Sequence, residues 1–274
     1  MTDRYAVIGN PIAHSQSPQI HAAFARETGE DLAYTAIEGP LEGFEAAVGD
    51  FRAGGGRGLN VTVPFKLRAH DMADELSDRA RLAGAANVLK FEGKQIHADN
   101  VDGVGLVIDI RDNLGVALTG QRVLILGAGG ATRGVLMPIL AERPASLVIA
   151  NRTVAKALEL AGIFAEHGPV RGLGYEALGA DGGFDVVINA TSSGLSGAAL
   201  PVTAGLFSEA VLAYDMVYGK GLTPFLRLAR EGGTKRLADG VGMLVEQAAE
   251  SFLWWRGRRP GTRGVIKELR VPLG

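Results

Sequence analysis

The stretch "RVLILGAGGATRG", residues 122–134, runs from a short apolar segment through a glycine cluster into a helical pattern. A strand, a glycine turn and a helix in that order form half of a dinucleotide-binding unit in an α/β fold. Glycine lets backbone N–H groups approach a diphosphate, and the start of the following helix adds a field that favours the anion. The candidates for that contact are Gly127, Ala128, Gly129, Gly130 and Ala131. A strict G-x-G-x-x-G pattern would place its third glycine at position 132, where this chain has Thr. A ligand-free strand–helix turn would use the same glycines.

Downstream, "SLVIANRT" ends about 20 residues on, where a carboxylate would hold the 2′-hydroxyl of a ribose. The chain has Asn151, Arg152 and Thr153 there, with Lys156 one helical turn later. A guanidinium and an ammonium suit a 2′-phosphate, so the pattern favours NADP over NAD. Without such an anion, the two cations would be an ordinary solvated helix start that opposes the helix dipole. Further strand-like segments, "DVVINA" and "VLAYDMV", continue the series.

Upstream, strands and helices also alternate: "YAVIG", a helix from Pro18, "LAYTAIE", a helix from about Leu41, "GLNVT", and helices across residues 64–84. The expected fold is therefore α/β, with two domains and a mainly parallel sheet. Ser17 and Pro18 have the pattern of an N-cap followed by proline at the first helical position. The domain boundary is expected between Asp102 and Thr119. After Gly240 come a helical pattern, "VGMLVEQAAESFLWW", the break "RRPGT" and a last short helix.

Composition narrows the function classes. With 28 Lys plus Arg against 30 Asp plus Glu, the net charge of −2 gives no electrostatic footprint for nucleic acid or an anionic membrane, and a small-molecule ligand fits better. Cysteine is absent, which removes disulfides, thiolate nucleophiles and Cys-ligated metals and suits a reducing compartment. The apolar run before Gly9 is too short for a signal-peptide core, and no stretch approaches the ~20 apolar residues of a membrane span. These features predict a cytoplasmic protein. The five histidines show no metal-binding spacing and none neighbours a serine elbow. The sequence leaves the oligomeric state open between monomer and homodimer.

The remaining polar candidates are ordinary one by one. Ser15 and Ser17 flank a helix start that can bind a carboxylate, or serve only as cap and turn residues. Asn87 and Asp102 stand at the edges of apolar segments, where turn formers are common. Lys66, at the end of "GLNVTVPFK", has the setting of a surface lysine after a proline turn.

Together, "GNPIAHSQSPQIH", "GLNVTVPFK", "GAANV", "DNVDGVG", "GAGGATRG", "NRT", "INATSSG", "YDMVY" and "DGVGMLVEQAAESF" resemble, in this order, the shikimate dehydrogenase family. The resemblance implies NADPH-dependent, reversible reduction of 3-dehydroshikimate to shikimate in aromatic amino-acid biosynthesis. It implies that Ser15 and Ser17 hold the substrate carboxylate, and that Thr62, Lys66, Asn87, Asp102, Tyr218 and Gln247 bind the rest of the substrate. On the cofactor side, Gly127 to Ala131 would hold the diphosphate, and Asn151, Arg152, Thr153 and Lys156 the adenosine phosphate. Thr191, Met216 and Gly240 would lie near the rest of the cofactor, and Asp78 is also assigned to that side. The implied domains are a substrate domain, 1–104 plus 240–274, and an NADP-binding Rossmann-like domain, 105–239.

Hydride delivery to a ketone creates an alkoxide that needs a proton or a cation, and Lys66 is the candidate, oriented by Asp102. Whether Lys66 donates a proton or mainly stabilises charge stays open. Val63 and Phe65 are expected to desolvate it, and Pro64 and Phe65 to form the stiff, dry turn that presents it. The family usually has Thr where this chain has Val101, a loss expected to alter the hydroxyl-binding side of the substrate site. Two other functions fit the same residues: a quinate or quinate/shikimate dehydrogenase, and a non-catalytic NADP-responsive sensor.

Overall fold

The computed structural model describes residues 2–180, 183–191 and 200–273. The chain divides into two units, Met1–Gly105 with Val245–Val265, and Leu106–Leu244 with Ile266–Gly274.

The first unit is built on β1 (Asp3–Gly9), whose residues Tyr5 to Ile8 are all buried, as expected of a strand covered on both faces. It pairs in parallel with β2 (Leu32–Glu38) and β3 (Gly56–Val61). The sheet order is β2-β1-β3-β5-β6-β4, with β4 (Glu75–Leu76), β5 (Val88–Glu92) and β6 (Gln95–Asp99). β5 and β6 form an antiparallel hairpin turned at Gly93 (φ +56°), a feature signalled by the short Gly-Lys turn between two strand-like runs.

Helices α1 (Ser17–Thr28), α2 (Phe44–Ala53), α3 (Lys66–Asp71) and α4 (Asp78–Ala83) belong to this unit. Two expectations are corrected. Ser17 is the first helical residue rather than the cap: its N–H donates to Ser15 Oγ at 3.3 Å, and the flanking Gln16 makes no side-chain cap. α2 begins at Phe44 instead of Leu41, because Gly43 takes a left-handed conformation (φ +96°) that helical residues cannot continue through.

The second unit takes up the chain within α5 (Asp102–Ile108). It then runs through β7 (Arg122–Leu126), α6 (Gly130–Ala141), β8 (Ser146–Ala150), α7 (Val154–Phe164), β9 (Val170–Leu173) and β10 (Val186–Asn189). β11 (Leu212–Asp215), α8 (Pro224–Glu231), β12 (Leu237–Asp239), α9 (Val241–Arg256) and α10 (Arg263–Leu269) follow. The sheet order is β12-β11-β10-β7-β8-β9 and every pair is parallel. The order reverses between β7 and β10, the switch point of a doubly wound sheet.

The later turns of α9 return to the first unit. Trp255 stacks on Tyr5, with ring centroids 4.6 Å apart, and its indole N–H donates to Leu89 O at 2.9 Å. Gly58 makes this approach possible, since a Cβ there would stand 2.5 Å from the Trp255 indole nitrogen. Residues from Ile266 onward group with the second unit, where Leu273 packs on the core around Phe225 and Leu226.

Candidate active site

In the first unit the site begins at the turn after β3. Phe65 is buried and stacked on Phe44 with centroids 4.7 Å apart, and its N–H donates to Thr62 O at 3.0 Å, so the turn cannot swing. Gly9 and Gly39 let neighbouring backbone close on it: a Cβ at Gly9 would lie 2.4 Å from Thr62 Cγ2, and one at Gly39 2.7 Å from the Phe65 ring. The turn is therefore stiff, but it is not dry. Val63 is 64% exposed, so of these two apolar side chains only Phe65 is buried.

Lys66 opens α3 directly after this turn. Its Nζ donates to Asp102 Oδ2 at 2.6 Å, with both side chains partly buried. Asp102 Oδ1 accepts from Asn87 Nδ2 at 2.8 Å, and the same amide reaches Gln247 Oε1 at 3.3 Å. Asn87 Oδ1 accepts from Val101 N at 2.9 Å, which fixes the amide so that its NH2 faces Asp102. Four residues from distant parts of the chain thus converge through directed bonds.

The network extends through residues the sequence reading did not single out. Asn60, near the end of β3, donates to Ser251 Oγ at 2.8 Å and accepts from the Tyr34 hydroxyl at 2.7 Å. Ser251 in turn donates to Gln247 O at 3.0 Å, one helical turn back on α9. The i, i+4 spacing of Gln247 and Ser251 on an apolar helix was the available signal. Beneath Tyr34 lies His21, fully buried and stacked on the phenol with centroids 4.0 Å apart. Burial pushes the imidazole down to about 3.

Val101 is a correction. Its side chain is 2% exposed and packs with Tyr5, Val88 and Trp255 in an apolar cluster. Its backbone N–H donates to Asn87 Oδ1, so Val101 meets the polar network through its main chain while its side chain packs in the apolar cluster. Asp78 lies exposed at the start of α4, outside this network. Ser15 and Ser17 sit together at the start of α1, joined by the bond from Ser17 N–H to Ser15 Oγ.

In the second unit, five adjacent parallel strands end in register: Ala150 beside Leu126, Leu126 beside Asn189, Asn189 beside Asp215, and Asp215 beside Asp239. The next residues along each strand are Asn151, Gly127, Thr191 (after Ala190), Met216 and Gly240. Candidates scattered between residues 127 and 240 of the sequence therefore form one row along the carboxyl edge of the sheet, where α/β folds bind ligands. Gly127 has φ +107°, and a Cβ there would stand 3.0 Å from Thr191 Cγ2. A Cβ at Gly129 or Gly130 would meet nothing within 4 Å, so the backbone of the turn is open. Thr132, in place of the third glycine, is fully buried and donates to Gly127 O at 2.8 Å, closing the turn by a side-chain bond.

Arg152 and Lys156 are exposed at the start of α7, and Asn151 Nδ2 donates to Thr153 O at 2.9 Å to hold the loop before them. The open glycine turn and these two cations fit a dinucleotide carrying an additional phosphate. Tyr218 lies on the loop after β11 and is 40% exposed. Of the "INATSSG" motif, Ser192 to Gly194 fall outside the described residues.

Three family models match the chain: the shikimate dehydrogenase substrate binding domain over residues 7–89, shikimate / quinate 5-dehydrogenase over 110–196, and the shikimate 5'-dehydrogenase C-terminal domain over 240–270. The chain belongs to the shikimate dehydrogenase family. Among its relatives, shikimate dehydrogenase (NADP(+)) of Dechloromonas aromatica is 59% identical over 100% of this chain and 99% of its own. The crystal structure of an Ael1 enzyme from Pseudomonas putida is 58% identical, covers both chains fully and superposes with a TM-score of 0.97. Shikimate 5-dehydrogenase from Thermus thermophilus, solved in complex with NADP(H) and shikimate, is 32% identical, covers 97% of this chain and 98% of its own, and has a TM-score of 0.86. Among the described residues of this family member, no helix is long and apolar enough to cross a membrane.

Proposed function

We propose that this protein catalyses the reversible NADPH-dependent reduction of 3-dehydroshikimate to shikimate, within aromatic amino-acid biosynthesis in the cytoplasm. The observation that carries the reading is the Lys66–Asp102–Asn87–Gln247 network: an ammonium held by a carboxylate, beside amides that can bind hydroxyls.

The residues 1–104 and 240–274 are proposed as the substrate domain and 105–239 as the nucleotide domain. NADPH, when bound, supplies the hydride. Gly127 to Ala131 hold its diphosphate, and Asn151, Arg152, Thr153 and Lys156 its adenosine phosphate, with Thr191, Met216 and Gly240 further along the same row. Asp78 keeps its assignment to the cofactor side from the family resemblance alone.

Ser15 and Ser17 bind the substrate carboxylate with hydroxyl and backbone donors. Thr62, Asn87, Tyr218 and Gln247 bind the ring hydroxyls. Lys66 places a cation, and a proton, at the oxygen that gains charge as the carbonyl is reduced, and Asp102 fixes the ammonium and accepts from a neighbouring substrate hydroxyl. Steady-state rates with shikimate and quinate, each with NADP and NAD, test the reading. Preference for shikimate with NADP supports it, preference for quinate points to the sister activity, and cofactor binding without turnover would indicate a sensor.

A further inference from the structure

Asp215 and Asp239 end neighbouring strands of the second unit in register, and both are almost completely buried. Among the described residues neither carboxylate has a salt-bridge partner; instead each accepts N–H or O–H donors, several of them from the segment between the two. Asp215 Oδ1 accepts from Val217 N at 3.1 Å and from Asn189 Nδ2 at 3.0 Å, and its Oδ2 accepts from Thr223 Oγ1 at 2.6 Å. Asp239 Oδ2 accepts from Gly219 N at 3.4 Å, and Oδ1 from Val241 N at 3.3 Å.

Backbone bonds complete the grip. Met216 N donates to Asn189 O at 3.0 Å and Gly240 N to Val217 O at 3.2 Å. Gly240 also lies so close that a Cβ would stand 2.3 Å from Met216 O. Residues 216–219 are therefore held in turn by β10, β11 and β12.

We propose that Asp215 and Asp239 are positioning residues that fix the backbone of 216–219 and thereby set where Met216 and Tyr218 present their side chains to the reacting pair. The proposal rests on the reading of Met216 and Tyr218 as cofactor and substrate contacts. A carboxylate suits the task because each oxygen accepts more than one donor, so one side chain can hold loop, strand end and helix cap together. Burial and the facing Asp239 charge both push Asp215 upward, so charge itself is a cost at this position and the hydrogen bonds are the reason for an acid.

Asparagine at 215 keeps Oδ1 for Val217 and Asn189, and the Thr223 hydroxyl can turn to accept from the new NH2. Alanine removes all three bonds. The test compares Asp215→Ala and Asp215→Asn by amide hydrogen exchange at Val217 and Gly219 in the free protein, by kcat and KM for shikimate, and by the Kd of NADP. Asp215→Ala is expected to exchange the Val217 amide at least about tenfold faster and to lose at least about tenfold in kcat, with the Kd of NADP within about threefold. Asp215→Asn is expected to stay within about threefold of wild type in every readout.

Unchanged exchange and kcat in a folded Asp215→Ala protein would overturn the proposal, as would equal damage in Asp215→Asn or a loss of NADP binding as large as the loss of kcat. If Asp215→Ala does not fold, Asp239→Asn carries the same readouts at Gly219 and Val241, because one amide oxygen cannot serve both N–H donors; faster exchange at either amide with lower kcat supports the proposal, and no change at both overturns it. If wild type turns over no shikimate, the proposed activity fails, and the exchange measurement alone decides the positioning role.

Discussion

Lys66 Nζ lies 2.6 Å from Asp102 Oδ2, and the other oxygen of that carboxylate accepts from Asn87 at 2.8 Å. The ammonium is thus fixed in direction by a group that is itself fixed, the arrangement required of a cation that must meet a developing oxyanion. Lys66→Ala is expected to lower kcat by about 10²–10⁴-fold. The Kd of shikimate should change by less than about tenfold, since the serines and amides proposed to bind the rest of the molecule remain. Turnover within tenfold of wild type, measured under saturating substrate, would remove Lys66 from the chemistry.

Arg152 stands exposed at the start of α7, where a cation gains nothing from the helix dipole. In the proposed role, charge-assisted bonds from Arg152 to a 2′-phosphate would be worth about 1.5–3 kcal/mol, so Arg152→Ala should raise the KM for NADP roughly 10- to 150-fold. The KM for NAD, which lacks that phosphate, should move by less than about threefold. Equal effects on both cofactors would show that Arg152 serves the fold or the adenine instead.

Val101 packs among Tyr5, Val88 and Trp255 rather than toward Lys66. Restoring the usual threonine should therefore leave kcat/KM for shikimate and for quinate within about threefold of wild type. A hydroxyl in that cluster is expected to lower stability by about 1 kcal/mol, read by urea denaturation. A clear change in the shikimate-to-quinate ratio would contradict this placement.

His21 carries a pH signature. Its imidazole falls from the ordinary 6.5 to about 3 in the fold, because burial disfavours the charged ring. Between those values the unfolded chain binds a proton that the folded protein does not. The stability associated with neutral His21 is fully present above pH 6.5 and declines as pH falls toward 3, by about 1.4 kcal/mol per pH unit. His21→Phe, which keeps a ring against Tyr34, should flatten this part of the acid limb. Unfolding curves of both proteins at pH 7, 6 and 5 measure the difference, and parallel limbs would rule it out.

Some of this was legible in the chain itself. "RVLILGAGG" specified strand, turn and helix because an apolar run, a cluster of flexible residues and a helical period are local properties. "NRT" could be singled out because charge at an unusual place is visible without neighbours, whereas Lys66 stood out only through the motif that resembles the family. What local pattern misjudged were contacts: Ser17 looked like a cap because a serine before proline commonly is one, whereas Ser15 in fact accepts its N–H. Val63 looked like a dry wall for Lys66 and is exposed.

Sequence by itself determined the alternation of elements and the glycine turn, which follow from near neighbours along the chain, while many of the candidate residues came from the resemblance of its motifs to the family. Only the tertiary structure decided which of them meet. Parallel pairing brought Gly127, Asn151, Thr191, Met216 and Gly240 to one edge, since strand register, not sequence distance, sets which strand ends are adjacent. The close approach permitted at Gly58 seated α9 on the first sheet, and with it Gln247 and Ser251 joined residues that lie 160 and 191 positions away in the chain.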